Sequence, residues 1–168
     1  LMGDSASRLY QGLVKGRQMA VAVQGGYNWP LGNAWDFSGP TLLTVLVLHR
    51  PDASAEAVVT AIDEELQKIL KEGVDAETLA RVKTRLHANY VSGMEPFLSR
   101  ADSLAKAQAL WGDAGMLNQI PGWIDAVTSA DLQRVVGTYL TKQNRVVIDR
   151  VPAAMAAAKQ PAAAAKKE

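Results

Sequence analysis

His49 and His87 are the chain's two imidazoles, and it contains no cysteine. A zinc ion held by H-x-x-E-H or H-E-x-x-H needs two histidines about one helical turn apart, so that both rings reach one metal. His49 and His87 stand far apart in the chain and fall in different elements. Tyr90 and Val91 follow His87 at the next-turn positions, and neither is a useful zinc partner. His49 closes an apolar run just before Arg50-Pro51. Both histidines are therefore expected at boundary or exposed positions, and no metal ligand is assigned.

Covalent chemistry finds no better footing. Without cysteine there is neither a thiolate nor a disulfide. No G-x-S-x-G is present to raise a serine on a strand-to-helix turn. Gly25-Gly26 is too sparse to cradle phosphates. Asp63, Glu64 and Glu65 lie side by side where a helix turns its polar side outward, so a solvated face is expected rather than an acid/base pair. Trp29, Trp35, Trp111 and Trp123 could stack on bases, but without a basic groove they are expected to be core or interface anchors. Arg81, Lys83, Arg85 and His87 form a local basic run that Glu77 offsets, again a solvated face. No catalytic residue is assigned, and the residues that would bind substrate are not identified at this level.

The elements around these residues follow from periodicity. Asp4 or Ser5 can cap a helix reaching about Lys15, with Leu9, Leu13 and Val14 on one side and Gly16 placed to end it. Residues 19–29 alternate, with Met19, Val21, Val23, Tyr27 and Trp29 as the large members, which predicts a strand buried on that face. Gly25-Gly26 predicts a bulge or bend in it. A Gly/Asn/Pro-rich loop follows over 30–40. Residues 41–48 form an almost unbroken apolar run, which predicts an interior strand antiparallel to the first.

Helical patterns then dominate. Ser54 opens a helix whose stripe is Val58, Val59, Ile62, Leu66, Ile69 and Leu70, closed by Gly73. Asp75 opens a second, with Leu79, Val82, Leu86 and Tyr90 on one face, broken by Gly93 and Pro96. A third spans about 97–111. A short helix near 116–119 is interrupted by Pro121-Gly122, and 123–127 predicts one further turn. Thr128 and Asp131 predict a capping box for a helix reaching about Leu140. Residues 145–151 predict a closing strand, stopped by Pro152. The Ala/Lys-rich tail over 153–168 predicts disorder.

Strands segregated from helices predict an α+β fold of two layers, a mostly antiparallel sheet packed against several helices. Residues 1–152 make one domain. Three strands are few for so many helices, so partner strands are expected upstream or from another subunit. The net charge of +1, with 18 basic and 17 acidic residues, offers no footprint for nucleic acid. No run is long and apolar enough to span a bilayer. The opening residues show no signal-peptide pattern and read like the middle of a domain, so an upstream segment is expected.

Three phrases carry a resemblance. SRLYQGLVKGRQMAVAV over residues 7–23 resembles a helix-then-strand segment of the form S-R-L-Y-x-x-L-V-x-x-x-x-x-A. EGVDAETLARVKTRL over 72–86 resembles a junction between two helices, and AVTSADLQRVVGTYLTKQNRVVIDRVP over 126–152 resembles a closing helix and strand in which V-T-x-x-D-L recurs. In this order they resemble the second, non-zinc domain of the pitrilysin/insulinase-type zinc metallopeptidases, the mitochondrial-processing-peptidase-like family. The likeness runs over about residues 1–152 and implies a half-unit without its first strand and helix.

The resemblance also sets expectations for function. The parent protein would be a zinc metalloendopeptidase whose N-terminal domain, or a homologous subunit, holds the zinc. This chain would carry no cofactor, be inactive alone, and help enclose and bind peptide substrate. Family members that orient substrate from this segment carry an Arg and a Tyr seven residues apart. The matching positions here are Val14 and Val21, which cannot donate a hydrogen bond. Arg8, Tyr10 and Arg17 do not occupy those positions. A homo-oligomer and a periplasmic or otherwise exported location are further implications. The alternative is a non-proteolytic scaffold subunit of the same fold, and an isolated peptide-binding module ranks below both.

Overall fold

The computed structural model describes residues 1–2, 4–32 and 34–151. The tail expected over 153–168 lies outside the described residues. The chain opens with a π-helical segment, Tyr10–Gly16. Gly12 and Gly16 weaken the ordinary α-helical repeat there, and the Arg17 N–H reaches back to the Gly12 carbonyl at 3.0 Å. The helix thus runs through Gly16 rather than ending before it. Leu9 and Leu13 are fully buried and anchor it.

β1 (Ala20–Tyr27) and β2 (Leu43–His49) form an antiparallel hairpin. Among the described residues these two strands make up the whole sheet. Three expectations are corrected here. The pairing slips between Ala20 and Ala22, so the bulge falls there and not at Gly25-Gly26. A slip of one residue reverses the faces. Ala20 is buried while Val21 is 61% exposed, against the expected burial of every large odd-numbered residue. Val23 then returns to the core beside Val45 and Val47. Tyr27 stays exposed and meets Phe37 edge-on, with ring centroids 5.1 Å apart. In a two-stranded sheet neither strand is interior, and Leu46 and Leu48 on β2 are 51% and 61% exposed.

α1 (Ala55–Glu72) begins as expected, with the Ser54 hydroxyl accepting from the Ala57 N–H at 3.1 Å. It ends at Gly73, whose φ of 72° suits glycine. A Cβ there would lie 2.6 Å from Ser129 Oγ, the atom that accepts the Val74 N–H at 2.7 Å. α2 (Ala76–Met94) is capped by Asp75, and α3 (Phe97–Trp111) ends at Gly112 in the left-handed conformation. A 3-10 segment (Ala114–Gln119) leads into α4 (Ile120–Ala126). Pro121 therefore does not interrupt. It sits in the first turn of α4, where a missing N–H costs nothing. α5 (Ser129–Tyr139) carries the expected Thr128/Asp131 capping box.

Apolar burial falls into three clusters. The first joins Leu9, Leu13, Ala20 and Ala61, tying the π-helix and hairpin to α1. The second joins Leu66, Ile69 and Val136 across α1 and α5. The third joins Ala107, Leu117, Ile120 and Ile124, with Tyr90, Met94 and Trp111 from α2 and α3 against it. The loop after β1 links the hairpin to this helical layer. Trp35 lies 6.3 Å from Trp123, and Asp36 pairs with Lys106 at 3.2 Å.

The closing strand does not form. Among the described residues, 145–151 belongs to no ladder. Its β-branched residues favour a strand only where a neighbouring strand accepts their backbone. Val146 and Ile148 are 88% and 81% exposed. The architecture is α+β, with one antiparallel hairpin against a helical body.

Candidate functional site

Antiparallel pairing decides which backbone groups remain available. Asn28 and Leu42 are joined by an N–H to carbonyl bond of 2.9 Å, and the register runs unbroken from Tyr27↔Leu43 to Ala22↔Leu48. Bonded and non-bonded pairs alternate. Val23, Gly25 and Tyr27 on β1, and Leu43, Val45 and Val47 on β2, therefore turn their N–H and C=O groups away from the hairpin.

Along β1 lies a groove of about 440 Å³, bordered by Asp4, Ser5, Tyr10 and Trp29 and running past Ala22 to Gly25. The π-helix contributes Tyr10, and the turn after β1 contributes Trp29. Asp4 is held in place by an ion pair with Arg85 on α2, and its Oδ1 accepts the Ala6 N–H at 3.0 Å. Gly25 permits the strand path here. Its φ is 137°, and a Cβ would fall 2.0 Å from the Thr44 carbonyl oxygen. A groove with aromatic walls beside a strand offers shape, stacking and backbone hydrogen bonds, the means by which sheets hold extended peptides.

The residues weighed in the sequence are dispersed. His49 Nδ1 lies 3.0 Å from the Arg50 carbonyl and Nε2 lies 3.3 Å from Asp149. The Arg50 carbonyl raises the His49 pKa above its usual value; burial opposes it, and the contact with Asp149 adds to the rise. His87 Nε2 contacts Asp125 at 2.8 Å, and Lys83 donates to the Asp125 carbonyl at 2.6 Å. Among the described residues no hydroxyl nucleophile hydrogen-bonds to His87, and no group of three or more His, Cys, Asp or Glu could hold a metal ion. The described residues thus do not fit a zinc centre.

The acidic triplet departs from the expected solvated face at Glu65, while Glu64 stays exposed. Glu65 is 8% exposed and accepts from Lys68 at 2.6 Å. Glu64 pairs with Arg17, and Asp63 pairs with Arg145 at 2.5 Å. Each carboxylate pairs with a cation: that of Glu65 comes from α1 itself, and those of Glu64 and Asp63 come from the end of the π-helical segment and from residues 142–145. Val14 packs against the first core cluster and Val21 faces outward, so neither side chain offers a polar group to a ligand. Sequence reasoning set Tyr10 aside and placed Trp29 among structural anchors. The signal for the groove was their position on either side of the strand, visible only once the π-helix is in place.

Comparisons with solved structures show the same architecture. A candidate zinc protease from Bordetella pertussis Tohama I superposes with a TM-score of 0.71 at 20% identity, covering 90% of this chain and 79% of that one. The chain has the fold of a zinc-protease domain. A zinc-protease-type fold is shared equally by the inactive peptidase domain of a candidate zinc protease from Bordetella parapertussis (TM-score 0.70, 20% identity, 87% of this chain and 75% of that one). A protease from Helicobacter pylori matches at TM-score 0.69 and 20% identity over 86% of this chain, which spans 33% of that protease. No family model and no curated protein matches the sequence. Among the described residues, no helix of this zinc-protease-type fold is long and apolar enough to cross a membrane.

Proposed function

We propose that the chain is a non-catalytic domain of a zinc metallopeptidase, one that helps enclose and hold peptide beside a separate zinc-bearing domain or homologous subunit. The observation that carries this reading is a zinc-protease-type fold whose described residues include no metal-binding cluster. The likeness to an inactive peptidase domain supports it. The β1 groove, with Tyr10 and Trp29 as walls, supplies a place for an extended segment. Catalytic zinc then belongs to the partner, and a periplasmic or exported setting goes with this reading.

The test is direct. The purified chain, given zinc, is expected to bind less than stoichiometric metal after dialysis and to leave an unstructured peptide such as reduced, alkylated insulin B chain uncut. The same peptide is expected to bind and to quench Trp29 fluorescence. Hydrolysis that persists through repurification, or one tightly held zinc per chain, would refute the reading. Absence of any peptide affinity would favour a scaffold subunit instead.

A further inference from the structure

His49 closes β2, and both of its ring nitrogens face acceptors. Nδ1 lies 3.0 Å from the Arg50 carbonyl, and Nε2 lies 3.3 Å from Oδ1 of Asp149. A carbonyl or an ionised carboxylate can only accept, whereas a neutral imidazole carries one N–H and one lone pair. The imidazolium, with two N–H groups, therefore satisfies both contacts, and the neutral ring satisfies one. The turn after β2 sets which one survives. The Arg50 carbonyl is fixed there, because it also accepts the Ala53 N–H at 3.0 Å while the Arg50 N–H bonds to the Met19 carbonyl at 2.9 Å. A neutral ring keeps its proton on Nδ1, toward that anchored carbonyl, and turns a lone pair on Asp149.

Asp149 belongs to residues 145–151, which no ladder holds. Among the described residues no backbone hydrogen bond ties 146–151 to the body. Side chains hold the segment instead, near its two ends. Arg145 grips Asp63 of α1 at 2.5 and 3.3 Å, through a guanidinium and a carboxylate, group types that do not titrate near neutral pH. The contact of His49 with Asp149 is the other tether. Few charges surround it. Arg50 is paired with Asp52 at 3.5 Å, Arg150 follows Asp149 along the segment, and Ala20, opposite His49 on β1, brings none. The raised pKa of His49 agrees with this setting. The Arg50 backbone is its largest cause, burial opposes it, and Asp149 and then the Ala53 backbone add to the rise.

We propose that His49 and Asp149 form a proton-operated latch on residues 145–151. The imidazolium clasps the segment to the open end of the hairpin, and the neutral ring releases it to move about the Arg145 anchor. The latch closes in mildly acidic surroundings and opens as pH rises through the titration of the ring. It stands apart from the β1 groove and does not depend on the peptidase reading.

The experiment follows the intact, isotope-labelled chain by NMR from about pH 5 to about pH 9, either side of the usual histidine pKa of about 6.5. Cα relaxation is expected to give order parameters of about 0.85 for residues 147–150 at the acid end and below about 0.6 at the alkaline end. The midpoint of that step is expected to coincide with the titration of the His49 ring, whose signal is identified by its loss in His49→Ala. That variant should leave the segment mobile at both ends of the range. Asp149→Asn supplies an amide that can donate to a neutral ring as well as accept from a charged one, so it should keep the segment ordered throughout and abolish the step. Order in 147–150 that does not follow the His49 titration, or an unchanged step in Asp149→Asn, overturns the latch.

Discussion

Gly25 shows how a single residue sets the shape of the candidate groove. Its φ of 137° is rarely adopted by residues with a side chain, and a Cβ would collide with the Thr44 backbone rather than with a movable side chain. Gly25→Ala is therefore expected to destabilise the fold by about 1–3 kcal/mol, the usual cost of such strain. It should also lower affinity for peptide at the β1 groove. Urea denaturation with a fluorescence readout checks the first part, and an unchanged midpoint would show that the hairpin relaxes at no cost. Buried Glu65 is a second residue whose setting matters. It sits under Gly12, where a Cβ would lie 3.4 Å from its Oε1, so the small side chain at position 12 leaves room for a carboxylate beneath the π-helix.

At the scale of elements, the helix N-caps are the most legible part of the chain. Thr128 Oγ1 accepts the Asp131 N–H at 3.2 Å, and Asp131 Oδ2 accepts the Thr128 N–H at 3.0 Å. Thr128→Ala is expected to cost about 1 kcal/mol, the typical value of an N-cap, and thermal unfolding should show a matching drop in Tm. The starts of α1, α2 and α5 were all readable from Ser54, Asp75 and Thr128, because caps act through bonds only a few residues long. Strand faces were not. The slip at Ala20/Ala22 depends on how β1 meets β2, and nothing in the alternation of 19–29 reveals it. The closing strand failed for a related reason, since among the described residues no strand pairs with residues 145–151. The partners of Glu64 and Asp63 were hidden as well, because Arg17 and Arg145 arrive from distant parts of the chain.

Across the whole molecule, the hairpin and the last described segment meet at His49, which contacts Asp149. Its pKa is raised, chiefly by the Arg50 carbonyl and then by Asp149. A raised histidine stabilises the fold fully below its unfolded value, and that contribution disappears as pH climbs through the folded value. The urea midpoint is thus expected to fall as pH rises through and beyond the usual histidine pKa of about 6.5. In His49→Gln the fall should be smaller. An identical pH profile for the variant would show that the contact contributes nothing. Arg50, paired with Asp52 at 3.5 Å, is the neighbouring charge that such a profile must also accommodate.

The contact between Trp35 and Trp123 has a further consequence. The two indoles lie 6.3 Å apart with their planes inclined by 38°, close enough for their excited states to mix. One belongs to the hairpin loop and the other to α4, so that coupling exists only while the two halves of the protein touch. The chain carries an intrinsic optical gauge of its own closure, readable in near-ultraviolet circular dichroism without any label.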